Sequence, residues 1–175
     1  EAGSGALVIV EGGTYSAVAL EVPGSVTLEA APGAEPVLEG ADAQHAVIET
    51  SDDLTVSGLT ITGGSDGVEQ LPPASGTPSL AVTNSDISGA DGAAVLDLTN
   101  GPVSIAASDL SNSVYGLVAD GVGAVTVLDS TAANNFYSGF RAYNAPMTLT
   151  SSTSFGNEYG VSAGTLSAGA DLVAG

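Results

Sequence analysis

A tyrosine returns at a fixed interval in the last third of the chain. Tyr115, Tyr137 and Tyr159 are separated by 22 and 22 residues, and each ends a similar segment of alternating apolar and polar residues. These segments and their looser copies upstream start at Leu7, Val26, Leu54, Leu80, Val103, Val125 and Met147. A repeat of this length predicts a solenoid, because one unit cannot bury its own apolar face and must stack on its neighbours.

Each repeat reads as three short strands. In one copy, Leu54 and Val56 are apolar whereas Thr55 and Ser57 are polar, which is the period of a strand with one buried face. A turn-prone residue and two further short apolar runs follow, separated by Gly, Asn, Ser and Asp. The sequence therefore predicts an all-β fold, a right-handed parallel β-helix of about seven rungs with three strands each, as a single domain over residues 1–175. An antiparallel sandwich is the alternative, but it does not require tyrosines at equal offsets.

The N-terminal segment carries a family resemblance. Residues 8–40, VIVEGGTYSAVALEVPGSVTLEAAPGAEPVLEG, resemble the opening of secreted right-handed β-helix proteins of the pectin-lyase-like superfamily. The matching parts are the Gly-Thr-Tyr turn at 13–15, the Pro-Gly strand at 23–28 and the turn and strand at 32–38. The resemblance implies a β-helix outside the cell or at its surface. It leaves the activity open, because the superfamily contains lyases, hydrolases, adhesins and structural proteins.

The charge balance excludes several classes of partner. Twenty acidic residues face one cation, so the formal net charge is -19. Nucleic acid, pectate and acidic membranes would be repelled, and close association between copies of the chain requires counterions. The sequence has no cysteine for disulfides or thiolate ligands and no apolar run long enough to insert into a membrane.

The basic residues are too few for the chemistry of the resembling enzymes. The lyases of that superfamily use a basic side chain to remove a proton, and its hydrolases combine several Asp residues with a His and a basic cluster. This chain offers only Arg141 and His45. We therefore expect no enzyme activity, and a polysaccharide-degrading enzyme is the least favoured alternative.

Two acids form the candidate metal site. Asp86 and Asp109 occupy the same outward offset in adjacent repeats, which places their Cα atoms about 5 Å apart. Such a pair could bind Ca²⁺. The same column continues with Thr60, Thr131 and Thr153, which add no further acid. Apart from this candidate Ca²⁺ site, the sequence predicts no cofactor.

Other columns suggest packing or contact. Aligned Tyr115, Tyr137 and Tyr159 predict either a structural ring stack or a contact ladder for sugar rings. The outward Thr and Ser positions of the first strand resemble ice-binding columns, but Ala and Leu interrupt them. A serine column is predicted to lean inward and to bond within the stack: Ser85, Ser108, Ser130 and Ser152.

Both ends read as strand without a cap. The chain enters a strand at residues 7–10 and finishes with LSAGADLVAG. Open rungs expose backbone and core, so we expect other copies of the chain to cover them. The candidate assembly residues are Leu7, Val8, Ile9, Val10, Leu172 and Val173. The leading hypothesis is a secreted structural protein that self-associates into a filament or surface layer. The alternative is a glycan-binding or adhesive module.

Overall fold

The computed structural model of the chain describes residues 5–169 and the backbone of residues 172–173. All regular elements in this part are β-strands, and all strand pairs are parallel. Three stacks of strands run along a common axis. No helix of these residues has the length and apolar character needed to cross a bilayer.

The strands, numbered in chain order, fall into three columns. The first column contains β1 (Ala6–Val10), β4 (Val26–Ala30), β7 (Leu54–Ser57), β10 (Leu80–Thr83), β13 (Val103–Ala106) and β16 (Val125–Leu128). The second contains β2 (Gly13–Val18), β5 (Pro36–Gly40), β8 (Thr60–Thr62), β11 (Asp86–Ser88), β14 (Asp109–Ser111), β17 (Thr131–Ala133), β19 (Thr153–Phe155) and β21 (Leu172–Val173). The third contains β3 (Leu20–Val22), β6 (Ile48–Thr50), β9 (Val68–Gln70), β12 (Ala93–Asp97) and β15 (Tyr115–Ala119).

Two long strands join neighbouring rungs. Strand β18 (Ser138–Thr150) pairs first with β15 in the third column and then with β16 in the first column. Strand β20 (Tyr159–Gly169) repeats this path one rung further along. The chain therefore makes about seven turns of three strands each, as predicted, and the antiparallel sandwich is excluded.

The predicted register of the repeats is confirmed. Val103 pairs with Val125, and Val125 pairs with Met147. Their side chains are almost fully buried, as are the apolar residues two positions later in each strand. One apolar cluster consequently runs from Val22 to Leu149 along the axis. Period-two alternation places every second side chain of a strand in this cluster.

Serine hydroxyls satisfy the backbone at one buried corner. Ser108 Oγ donates to the carbonyl of Ala106 at 2.8 Å and accepts the N–H of Ser85, one rung below, at 3.2 Å. Ser130 repeats this arrangement with Leu128 and Ser108. The predicted inward serine column therefore forms a hydrogen-bonded ladder within the described residues, and its members are buried.

Asparagine side chains form a second ladder at another corner. Asn135 Oδ1 accepts the N–H of Ser113 at 3.0 Å, and Asn157 Oδ1 accepts the N–H of Asn135 at 2.8 Å. Their amide groups donate to the carbonyls of Leu110 and Ala132. Buried polar groups are thus paired between rungs, which is the condition for placing them in a core.

Candidate functional site

The first rung exposes side chains that every other rung buries. Val8 in β1 pairs with Leu28, which lies one rung further in and is only 4% exposed, whereas Val8 itself is 38% exposed. Tyr15 in β2 stands over buried Leu38 in the same way and is 41% exposed. Each inward side chain lacks cover because no described strand pairs with the outer edge of this rung.

The third strand of this rung completes the open face. Leu20 in β3 pairs with Ile48 and is 39% exposed, although Ile48 is fully buried. One inward side chain from each of the three columns is therefore left uncovered at this end of the stack. We call the set Val8, Tyr15 and Leu20 the open face. Only Val8 belongs to the predicted assembly residues, because Tyr15 and Leu20 are recognised as inward only from the register.

The other predicted residues of the first strand differ in orientation. Leu7 and Ile9 pair with Thr27 and Glu29 on the outward side, and their side chains are 59% and 45% exposed. Val10 points inward and packs against the edge of the core. The predicted strand is thus present, but its members divide between the open face and the side of the rod.

The last described rung is open in a similar way. Leu166 in β20 pairs with Met147, and it is 45% exposed whereas Met147 is 1% exposed. Strand β21, which contains the predicted end residues Leu172 and Val173, pairs with β19. The side chains of Leu172 and Val173 lie outside the described residues. Leu166 was not among the predicted assembly residues, because the repeat pattern is weak after residue 163.

The tyrosine ladder stacks in part. The rings of Tyr115 and Tyr137 are 5.6 Å apart and nearly parallel, with an interplanar angle of 15°. Phe136 contacts Tyr137 edge-on at 5.4 Å. In backbone register, however, Tyr115 pairs with Ser138, and Ser138 pairs with Tyr159. Tyr137 therefore precedes the column by one residue, and the equal 22-residue spacing does not give three equivalent positions.

A groove lies beside the last two tyrosines. It has a volume of about 290 Å³ and is lined by Tyr137, Ser138, Arg141, Tyr159 and Ser162. We call it the tyrosine groove. Ser138 and Ser162 were not singled out in the sequence. No signal in one repeat marks them, because the groove is formed by side chains from two rungs.

Arg141 lies on the outward side of β18. Its guanidinium carbon lies 4.0 Å from the centre of the Tyr143 ring, which is a cation–π contact. Among residues 5–169 it makes no ion pair. The only cation of the chain is thus placed on an aromatic surface and not beside an acid.

The predicted acid pair is adjacent. Asp86 pairs with Asp109, between Thr60 and Thr131 in the same column. Burial, together with the neighbouring Asp109 carboxylate, raises the pKa of Asp86. The described residues contain no group of three or more His, Cys, Asp or Glu side chains able to hold a metal. Because Ca²⁺ takes six to eight oxygen ligands, this pair alone supplies too few, and the Ca²⁺ site stays a prediction.

A buried acid was not anticipated. Asp97 in β12 is only 1% exposed and pairs with Gln70 of the rung below. Its Oδ1 accepts the backbone N–H of Thr99 at 3.0 Å. Burial raises the pKa of Asp97 despite this bond. Gln70 Oε1 is also buried and has no protein donor. Asp97 and Gln70 are therefore buried polar residues at the edge of the apolar core.

His45 is exposed and lies beside an acid. Its Nδ1 is 2.9 Å from Asp42 Oδ1, and both side chains are open to solvent. A hydrogen bond from the Gln44 N–H, followed by that of the His45 ring, lowers the pKa of Asp42. The pair lies in the turn between β5 and β6, where Asp42 Oδ1 also accepts the N–H groups of Gln44 and His45.

One outward column of first-strand residues is continuous from rung to rung. Pairing places these residues in one line: Thr55, Ala81, Ser104, Thr126 and Thr148. Alanine interrupts the hydroxyl groups at the second position of this line. The regular hydroxyl lattice of an ice-binding face is therefore incomplete here.

Comparison of the chain with known protein families, with curated proteins and with solved structures finds no match. What the structure shows is the architecture of the chain. That architecture is an all-β parallel solenoid of about seven turns, with three strands in each rung.

Proposed function

We propose that this chain is a structural β-helix subunit that stacks head to tail on other copies of itself and forms an extracellular filament or surface layer. The observation that carries the proposal is the open face. Val8, Tyr15 and Leu20 are each about two-fifths exposed at positions that the next rung buries. Covering each of these side chains would contribute about 1 kcal/mol.

A second copy is the occupant that fits this face best. Its last rung follows the same three-sided path, so it offers a parallel strand to each of the three edges at once. Unpaired N–H and C=O groups of edge strands favour such pairing. The far end contributes Leu166, which is 45% exposed over Met147. Because the two faces differ, the contact is head to tail and generates an open filament instead of a closed ring.

Charge opposes this association and makes it dependent on salt. Two chains of net charge -19 repel each other. The repulsion reaches about 30 Å at 0.01 M salt but only about 10 Å at 0.1 M. We therefore expect assembly in saline or mildly acidic surroundings, which suits a protein outside the cell.

We also propose that the chain belongs to the pectin-lyase-like superfamily of β-helices. The segments at 13–15, 23–28 and 32–38 support membership of the pectin-lyase-like superfamily of β-helices. Strand pairing within the first two rungs agrees with this, since β1 pairs with β4 and β2 pairs with β5. In this proposal the superfamily fold serves as a building unit without catalysis.

The proposal is tested by placing a cation on the open face. In Val8→Lys the new ammonium group occupies an inward position, where a stacked copy would bury it. Leu7→Lys is the matched control, because it changes the charge equally but points to the side of the rod. Both variants lower the net negative charge, so electrostatics alone would favour their association.

Sedimentation velocity in about 0.5 M salt, where the repulsion is screened, distinguishes the outcomes. We expect the unmodified chain and Leu7→Lys to form oligomers and Val8→Lys to remain monomeric with an unchanged circular dichroism spectrum. The proposal is wrong if the unmodified chain stays monomeric, or if both lysine variants assemble alike.

A further inference from the structure

The ring of Tyr159 does not continue the stack formed by Tyr115 and Tyr137. Tyr159 donates its backbone N–H to the carbonyl of Tyr137 at 2.8 Å, so the two residues occupy neighbouring rungs. Within residues 5–169 the ring of Tyr137 contacts Tyr115 and Phe136, and the ring of Tyr159 joins neither stack. The tyrosine groove lies beside these two rings. Their exposed fractions are 39% for Tyr137 and 55% for Tyr159.

A buried hydroxyl in the groove has no partner. Ser138 is 1% exposed, and its Oγ makes no hydrogen bond in the chain. Buried hydroxyls are normally paired, because an unmade hydrogen bond carries the full cost of removing the group from water. Ser138 also lines the groove, so rotation of its side chain would bring Oγ to a polar group bound there.

Arg141 supplies further donors at the same place. Its guanidinium carries five N–H groups in a fixed plane. That plane rests on the ring of Tyr143, and no carboxylate of the described residues forms an ion pair with it. Its N–H groups are therefore not committed to an acid. Together with Ser138 and Ser162, it surrounds the groove with groups that bond to hydroxyls.

We propose that the tyrosine groove binds one neutral pyranose ring of a glycan. The apolar C–H face of the sugar packs against an exposed tyrosine ring, and its hydroxyls bond to Arg141, Ser138 and Ser162. A volume of about 290 Å³ lies at the lower limit of small-molecule sites, which matches a single ring.

The charge of the chain favours a neutral sugar over an acidic one. A uronate polymer would approach a surface whose formal net charge is -19. The groove is lined by residues of β18 and of β20 in the last described rung, so it is tested in dilute buffer, where the charge of the chain opposes stacking.

The probes are three neutral methyl glycosides, of glucose, galactose and mannose, with methyl galacturonate as the charged arm. Each is titrated into the isotope-labelled chain in dilute buffer and followed by nuclear magnetic resonance. We expect at least one neutral glycoside to shift the amide signals of residues 137–141 and 159–162, with a dissociation constant on the order of 1 mM.

Two variants and one control assign the site. Tyr159→Ala removes one ring face and should weaken binding about tenfold. Ser138→Ala should weaken it about fivefold without lowering thermal stability, because its hydroxyl has no partner in the free chain. Tyr15→Ala is the control, since this tyrosine is similarly exposed but lies on the open face.

The proposal is supported if a neutral glycoside binds and the two groove variants weaken it while Tyr15→Ala does not. It is overturned if no glycoside shifts these signals, or if galacturonate binds more tightly than every neutral probe. Binding that survives Tyr159→Ala and Ser138→Ala would also overturn it.

Discussion

Each serine hydroxyl at the inward corner of successive rungs donates one hydrogen bond and accepts another. The hydroxyl is short enough to reach the carbonyl two residues earlier and the N–H of the preceding rung from the same atom. Ser108, for example, contacts Ala106 and Ser85 in this way. The sequence predicted this column because the four serines share one offset in the repeat. It did not predict the direction of the bonds, which depends on the distance between rungs.

Removal of one ladder hydroxyl should be costly. Ser108→Ala leaves the buried N–H of Ser85 without an acceptor, whereas the carbonyl of Ala106 keeps its bond from Asn84. We expect the free energy of unfolding to fall by about 1–3 kcal/mol, measured by urea denaturation. Ser104→Ala in β13, where the side chain is exposed, should change it by less than about 0.5 kcal/mol. Equal losses in the two variants would contradict the ladder.

Asp97 makes stability depend on pH in an unusual direction. Burial raises the pKa of Asp97 above its ordinary value of 3.8, so the folded chain binds this proton more tightly than the unfolded chain. The contribution of Asp97 to the free energy of unfolding is therefore largest below that value. It decreases as the pH rises to the folded pKa and stays low above it.

Asp97→Asn tests this sign. Asparagine keeps an oxygen for the Thr99 N–H and never ionises. We expect the variant to raise the thermal midpoint at about pH 7 and to have a smaller effect at about pH 4. Asp120→Asn, at an exposed turn, serves as the control. An equal effect of Asp97→Asn at both pH values would show that its ionisation does not matter.

The burial of Asp97 could not be predicted from the sequence. Asp97 follows an apolar run and precedes a turn, which in sequence is typical of an exposed strand end. Its burial follows from pairing with Gln70 on one side and Ala119 on the other. A position is recognised as inward only when its partners in both neighbouring rungs are known.

The turn between the first and second strands has one backbone shape in successive rungs. The residue at this point has a positive φ in five rungs, with values of 47–71° at Gly58, Asn84, Ala107, Asp129 and Ser151. The sequence marked these positions as small or turn-prone. The left-handed conformation explains the choice, because glycine and asparagine adopt it at the lowest cost.

Ala107 is the strained member of this set. Its φ is 48°, and its side chain has no hydrogen-bonding group to compensate. Ala107→Gly should remove strain of about 1–2 kcal/mol against an entropic cost of about 0.5–1 kcal/mol. The net expected gain is therefore about 0.5 kcal/mol in the free energy of unfolding.

The control for this turn is a strand alanine. Ala81→Gly in β10 should lower the free energy of unfolding by about 0.5–1 kcal/mol, because no strain is relieved there. Urea denaturation of both variants gives the comparison. A loss of stability in Ala107→Gly similar to that in Ala81→Gly would mean that the left-handed turn carries no strain.

The length of strands β18 and β20 could not be predicted from the sequence. Strands β18 and β20 continue through positions where other rungs have Gly and Asp turns. In β18 the pairing with β20 shifts between Ala142 and Pro146, so the extra residues are absorbed as an irregularity in the strand. The equal tyrosine spacing also conceals a separate change of register, because Tyr115 pairs with Ser138 and Ser138 pairs with Tyr159.

Charge at the scale of the whole rod sets the conditions for stacking. Glu21, Glu49 and Glu69 pair in adjacent rungs along one outward face. Burial, followed by the charges of Asp66 and Glu49, raises the pKa of Glu69. Mild acid therefore protonates Glu69 and lowers the negative charge of this face, so it should favour stacking as added salt does.

The number of rungs and the parallel stacking could be predicted from the sequence, because inward alternation and repeat offsets are local properties of each unit. The open face could be predicted only in part. Val8 lies in an evident strand, whereas Tyr15 and Leu20 are identified as inward by pairing with Leu38 and Ile48. The tyrosine groove could not be predicted, since it depends on a one-residue offset between two rungs.

Electron microscopy of the unmodified chain across salt concentration tests the central claim most directly. In about 0.01 M salt at neutral pH we expect single rods, and in about 0.5 M salt or mild acid we expect rods of the same width and greater length. Each added copy should lengthen the rod by roughly 34 Å, from seven rungs of about 4.8 Å. Particles that stay single in every condition, or that grow in width instead of length, would contradict head-to-tail stacking.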